Sequence, residues 1–473
     1  MANGVIMEQF SKNGLKLKGL ALAISLSLSW SVEAETLEFK SCVEKTLSQN
    51  PEMSVSASRI QQAKSALKEA TNSRLPQITA SFTASNSDNP LNVFGMKLQQ
   101  RQAALADFGF DSATASAFGS GDFAYQPKAL NYPDAHTDFN TRLEMLIPVY
   151  NGGRISAYQE QAKAMIKAAE HGDVAVKQFL TFNVYQAYEA VHTARAYIDV
   201  AEKAVLASDS YVKTTSNLVD EGILVRSELL SAKVNQSNAR MALEKAKNSE
   251  KVALESLKML MALEPKAEID VGHRVDVAIP VDNVEDLIAM ALASNPELEA
   301  KRNEVNSSFA AVGASKAGLY PSFNLMARQD WNDDQVGFDN SSYTVAGVVS
   351  WKITDFGVTS SGVDKANAAA KMKESELRSR ENQLRLEVIK AWHALDIDKK
   401  QVHVNQLAAQ QAEEAQRLIL KRYKNGVATI TEVLAGQALL DKARAEVVAA
   451  TYDRNIQAAR LRLNTGTMSL SQL

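Results

Sequence analysis

The chain has 473 residues, 45% of them hydrophobic and 23% charged, and a formal net charge of −3. That is enough apolar material for an ordered core, and the charge balance gives no footing for a nucleic-acid partner. The single cysteine, Cys42, excludes an intrachain disulfide and a cysteine-built zinc site.

Residues 1–34 read as a secretory signal peptide. Lys12, Lys16 and Lys18 precede an apolar run from Leu20 to Leu28, and Val32-Glu33-Ala34 offers small residues at −3 and −1 of a cleavage site. The run is too short to span a bilayer, and no later apolar run reaches that length either. Cys42 lies beyond the cleavage site, so it is expected in a buried or half-buried helix position rather than as a lipid attachment.

From there the chain states one pattern twice. Asn50-Pro51-Glu52 returns as Asn295-Pro296-Glu297, and Leu75-Pro76 as Tyr320-Pro321, an offset of 245 positions. Tyr150-Asn151-Gly152-Gly153 returns as Thr354-Asp355-Phe356-Gly357, and Gly222 with Glu228 as Gly426 with Glu432, an offset of 204. Repeat one therefore carries 41 extra residues between the two blocks. The expected division is repeat one over 35–263, a linker over 264–282, repeat two over 283–466 and a C-terminal tail over 467–473.

Within each repeat a helical stretch gives way to segments of period two. After Pro76, Ile78 and Phe82 alternate with Gln77, Thr79 and Ser81. Before Pro148, Leu143, Met145 and Ile147 alternate with Arg142 and Glu144. After Pro321, Phe323, Leu325, Ala327 and Trp331 alternate with Asn324, Arg328 and Asp330. From Tyr343 onward Val345, Val349 and Trp351 alternate with Thr344, Ser350 and Lys352. One apolar and one polar face over about ten residues suits a tilted strand crossing a bilayer. On this reading Arg142, Glu144, Arg328, Asp330 and Lys352 face a wet lumen. Trp331 and Tyr343 mark one interfacial girdle, and Tyr150, Tyr320 and Trp351 the other. The insertion, residues 87–138, falls between the first two strands as a long ordered loop, where barrels keep their long external loops.

Long helices follow each strand pair. Val184, Ala187, Val191, Ala194, Ile198, Ala201 and Val205 are spaced three and four apart, a coiled-coil seam. Val388, Ala391, Leu395 and Val402 form a weaker seam in repeat two. Gly222 and Gly426 are expected to cap these helices and turn the chain, with Ser227 and Thr431 as N-caps of the returning helices. Each repeat is then two strands plus a helical hairpin. Four strands cannot close, and an open edge is not tolerated in lipid, so several copies must share one barrel.

No catalytic constellation emerges. The six histidines show no HExxH spacing, no nucleophile elbow or P-loop is present, and the GxGxxA match at Gly119–Ala124 does not open a βαβ helix. No enzyme activity, cofactor or metal is expected. The tip acids Glu228 and Glu432 have two readings: favourable charges in a first helical turn, or carboxylate rings around an axis.

The order of these elements resembles the TolC-like outer-membrane efflux protein family. The similarity rests on the paired Asn-Pro-Glu openings, Leu75-Pro76 and Tyr320-Pro321, and the turns Asn151-Gly152-Gly153 and Asp355-Phe356-Gly357. Tyr423-Lys424-Asn425-Gly426, followed by Thr431-Glu432-Val433-Leu434, is its most specific stretch. The resemblance implies a mainly α protein with a membrane β-barrel, a homotrimer of twelve strands over a helical periplasmic tunnel. It implies outer-membrane lipid around the barrel, and as partners a periplasmic adaptor and an inner-membrane transporter of RND, ABC or MFS type. It places Glu432 in an acidic constriction ring, and Tyr423 with Glu228 in a lock between the tips. The second acidic ring falls on Ala435, and a second lock falls on Ala428 and Ser227, which lack the charges for it. The alternative reading is a periplasmic coiled-coil scaffold that never enters the membrane.

Overall fold

The computed structural model describes residues 35–471, so the expected signal peptide, residues 1–34, lies outside the described residues. Repeat one comprises β1 (Glu35–Leu37), α1 (Phe39–Gln49), α2 (Pro51–Asn72) and β2 (Gln77–Ser87). A loop follows with short helices α3 (Pro90–Gln99), α4 (Ser112–Gly119) and α5 (Lys128–Asn131). Then come β3 (His136–Asn151), α6 (Arg154–Asp220) and α7 (Arg226–Leu260). After β4 (Ile269–Val271), repeat two supplies α8 (Val284–Ser294), α9 (Pro296–Lys316), β5 (Ser322–Asp333) and β6 (Ser341–Ser350). It ends with α10 (Val358–Lys424) and α11 (Ile430–Asn464).

The two long helices, α6 and α10, each hold 67 residues. At 1.5 Å per residue each is about 100 Å long. In the α6 seam Val184, Val191 and Ala194 are buried, while Ala187, Ile198, Ala201 and Val205 are half-buried; in the α10 seam Val388, Ala391, Leu395 and Val402 are all buried. Burying one such Val or Leu contributes about 1.5–3 kcal/mol. The seam judged weaker from sequence is thus the more fully buried of the two.

The repeated Asn-Pro-Glu has a plain structural job. Proline opens each helix at N1, where its missing N–H is not needed. Asn50 Oδ1 accepts from Glu52 N at 2.9 Å, and its amide donates to Leu260 O at 2.8 Å, at the last turn of α7. Asn295 does the same, accepting from Leu298 N and donating to Asn464 O at 3.0 Å at the end of α11. One side chain satisfies a bare helix start and a bare helix end. The asparagines therefore join α7 to α2 and α11 to α9.

The four long strands form one antiparallel sheet in the order β2-β3-β5-β6. Its register pairs Ile78 with Met145, Met145 with Ala327 and Ala327 with Val345 on one face. On the other face Ser81 pairs with Arg142, Arg142 with Asp330 and Asp330 with Ser342. The apolar face is bare: Ile78 is 67% exposed, Tyr343 80% and Val345 72%. Among the described residues, no helix is long and apolar enough to cross a membrane.

Within residues 264–282, between the repeats, β4 pairs in parallel with β1. In the C-terminal tail Met468 is fully buried in the core of α6, α1 and α7, with Cys42, Val43, Tyr185 and Leu257. Cys42 is buried in α1, as expected.

Candidate functional site at the hairpin tips

Both hairpins turn by the same device. Gly222 has φ +76° and Gly426 φ +74°, the left-handed region that a side chain disfavours. Ile223 N bonds Leu218 O and Gly222 N bonds Val219 O, while Val427 N bonds Arg422 O and Gly426 N bonds Tyr423 O. These are paired Schellman closures of α6 and α10.

The returning helices begin one residue before Ser227 and Thr431, so neither of those residues is the N-cap. The cap positions are Val225 and Thr429. Thr429 accepts from Glu432 N at 3.3 Å, and Glu432 Oε1 accepts from Thr429 N at 3.2 Å, a reciprocal capping box. Arg422 Nη1 lies 3.7 Å from Glu432 Oε2. Glu228 occupies the matching place in α7, but Val225 offers it no hydroxyl, and its buried Oε2 has no hydrogen-bond partner among the described residues.

Tyr423 is buried, and its hydroxyl shares a 2.7 Å hydrogen bond with Thr215 of α6, not with Glu228. Burial pushes its phenol pKa up, the Thr215 bond opposes that rise, and the Glu228 charge adds to it. Around it pack Tyr211, Ala232, Ile430 and Val433, with Ala428 at the margin. Ala428 thus fills apolar space where the resemblance placed a cationic lock.

A second buried cluster ties the hairpins together. Tyr211 donates to Gln437 Oε1 at 2.6 Å, and Gln416 Nε2 donates to Tyr211 Oη at 2.8 Å and to Val433 O at 3.0 Å. Gln437 passes the chain on to Asp441 Oδ1 at 2.8 Å. Burial lifts the Asp441 carboxyl pKa above its ordinary range, against the Gln437 hydrogen bond and the Arg444 charge. Gln416 Oε1 lies against Gly436, where an added Cβ would come within 2.2 Å. Sequence reading found Tyr423 but missed Thr215, Tyr211, Gln416 and Gln437. A polar residue at a seam position is the signal that would have marked them.

The strand residues fall as follows. Arg142 Nε donates to Asp330 Oδ1 at 2.7 Å, and Arg328 Nε stands 2.8 Å from Asp330 Oδ2. Glu144 is opposite Arg328 in register. Lys352 lies past the end of β6, 4.0 Å from Asp355, because β6 stops at Ser350. Trp331 and Tyr343 stand two rungs apart, on the same face, at one end of the sheet. Tyr150, Tyr320 and Trp351 gather at the other end, all exposed, with Trp351 Nε1 bonded to Leu319 O. Trp351, like Lys352, is beyond the strand.

Known proteins are similar to this chain in sequence and in fold. The sequence profile described as outer membrane efflux protein matches residues 42–263 and 287–467. The outer membrane efflux protein BepC of Brucella suis is 25% identical over 307 residues, 63% of this chain and 65% of BepC. The chain's match therefore spans just under two thirds of that relative. The outer membrane protein VceC of Vibrio cholerae superposes with a TM-score of 0.73 at 16% identity, over 90% of this chain and 96% of VceC. The MtrE outer membrane channel of Neisseria gonorrhoeae, in its open state, superposes with a TM-score of 0.70 at 16% identity, over 90% of this chain and 88% of MtrE.

Proposed function

We propose, because the chain belongs to the outer membrane efflux protein family, that it is the passive exit duct of a tripartite efflux or type I secretion system. The family consists of channels rather than enzymes, and its members reside in the outer membrane. The observation that carries the reading is the four-stranded sheet. Its apolar face is exposed, its edges β2 and β6 lack partners among the described residues, and charged side chains line its other face. In lipid such edges must be paired. Two copies would close eight strands around a lumen filled by side chains, whereas three close twelve and leave a passage.

In this trimer the apolar face meets outer-membrane lipid, and Arg142, Glu144, Arg328 and Asp330 line the lumen. The division into repeats over 35–263 and 283–466 gives each copy two hairpins. A periplasmic adaptor and an inner-membrane RND, ABC or MFS-type transporter supply cargo and energy. Three copies of Glu432 around the axis concentrate cations at the narrowest point, since like charges at close range attract counterions. Tyr423 holds that point closed through Thr215. Glu228, whose Oε2 has no hydrogen-bond partner among the described residues, takes one from a neighbouring copy.

The periplasmic scaffold reading fails to account for the bare apolar face of the sheet. Membrane fractionation with native mass measurement in detergent tests the choice. Recovery from outer membranes as a trimer is expected, whereas recovery as a soluble periplasmic protein without detergent would establish the scaffold.

A further inference from the structure

The insertion in repeat one is folded, and its attachment points give it a direction. Gln100, just past the end of α3, is 1% exposed. Its amide donates to Asp138 Oδ1 and to Thr137 O, both at 2.9 Å, and its Oε1 lies 2.7 Å from His136 Nε2. His136 and Asp138 alternate in phase with Arg142 and Glu144, so they belong to the polar face of β3. The loop is therefore fastened on the lumen side of the sheet, and α3 packs against β3 and β5.

A second fastening reaches into repeat two. Arg101 Nη2 donates to Ser341 O at 2.8 Å, at the start of β6. Arg101 has φ +56°, a conformation in which glycine would be cheaper. The position keeps a side chain where the backbone favours none, and the bond to Ser341 is what that side chain does. Inside the loop, Lys97 pairs with Asp107 at 2.6 Å, and Phe94 stacks on Phe108 with ring centroids 5.5 Å apart. The loop also leaves several large apolar side chains exposed. Leu105 is 74% exposed, Phe110 66%, Phe118 56% and Phe123 82%. A patch of that kind marks a surface meant for contact.

We propose that residues 88–135 fold inward over the outer mouth of the barrel, and that three copies meet there through these apolar side chains to form a second, hydrophobic constriction. The inference rests on the trimeric duct argued above, because only closure of the barrel by copies of the chain brings the loops together. The occupant of the apolar patch is the same loop of a neighbouring copy. The lumen-side fastening by Gln100 points it there, away from lipid. A narrow apolar ring sheds water and resists ion passage, unlike the charged belt below it. It is distinct from the periplasmic tips, so the duct has a seal at each end.

The test uses single cysteines at Leu105, Phe118 and Phe123 in the full chain, with Tyr343→Cys on the lipid face as control. Cys42 is fully buried and leaves the background silent. Purified protein is treated with a short bismaleimide and run on denaturing gels. Covalent dimers and trimers are expected from at least one loop position and none from Tyr343→Cys. A native trimer that cross-links at no loop position overturns the outer constriction and leaves the duct standing. A native monomer overturns both. As a functional check, Gln100→Leu with Arg101→Leu is placed in a tip-opened background. Conductance is expected to rise by about twofold or more as the apolar ring loosens, and an unchanged conductance counts against the proposal.

Discussion

Val225 precedes α7 at the tip of repeat one, and Thr429 precedes α11 at the tip of repeat two. The turns before them have the same left-handed glycine and the same closing hydrogen bonds. At the second tip Glu432 is tied into a capping box, and Tyr423, Ile430 and Val433 are buried against α6 and α7. At the first tip Arg226, which matches Ile430, is exposed, and Glu228 Oε2 has no hydrogen-bond partner among the described residues. Duplication preserved the backbone while the side chains diverged. The second tip has become the packed, self-satisfied element, held to the first hairpin by neutral hydrogen bonds from Thr215 and Tyr211. Contacts of that kind can be released without separating charges.

The largest effect is expected from Gly436→Val. Its Cβ would press on Gln416 Oε1 and on Ile419 Cδ1, 3.0 Å away. Overpacking costs about 1–3 kcal/mol, and the Gln416 bonds are strained as well. The matching position in repeat one is Ala232, already buried, so Ala232→Gly should cost only about 1 kcal/mol through helix propensity. Thermal melting of both variants compares the tips directly, and equal losses would remove the asymmetry.

A cap exchange comes next. Thr429→Val should lower stability by about 1 kcal/mol, and Val225→Thr should raise it by a similar amount by recruiting Glu228 into a capping box. If Val225→Thr leaves the melting temperature unchanged, Glu228 is already engaged elsewhere.

The pH response of Asp441 is smaller. Its folded pKa is raised by burial, so the folded tip binds a proton more readily than the unfolded chain. Stability therefore increases as pH falls through the raised pKa and levels off above it. Acidification should tighten the closed tip and lower conductance, and Asp441→Asn should abolish that dependence. A variant that keeps the full pH response would show that another group is responsible.

Glu432→Gln is expected to have the smallest effect on stability, a few tenths of a kcal/mol, because the half-exposed Arg422 contact is worth little. Loss of cation preference in the same variant would support the ring, and unchanged preference would remove it.

Much of this was legible in the chain. The repeat fixed the element order, and period-two patterning found all four long strands with the right faces. Glycines marked the tips. What escaped was set by contacts distant in sequence. β1 is three residues long and carries no pattern of its own, and its partner β4 lies in the segment expected to be a linker, where only Ile269 and Val271 flank Asp270. The N-caps were misplaced because Thr429 and Thr431 both precede helix-forming sequence, and only the Thr429–Glu432 spacing identifies the cap. Gln416 and Gln437 look like surface residues until Tyr211 from the other repeat is placed between them.

On the proposed reading, neutral hydrogen bonds between the hairpins keep the periplasmic end closed. Single-channel conductance of Tyr211→Phe with Tyr423→Phe in planar bilayers tests it most directly. Each lost hydroxyl leaves a buried partner unsatisfied, at about 1–3 kcal/mol, enough to move a closed tip toward open by about tenfold or more. The expected result is a several-fold rise in conductance with the trimer intact. A trimer that conducts no better than the wild type would contradict the account.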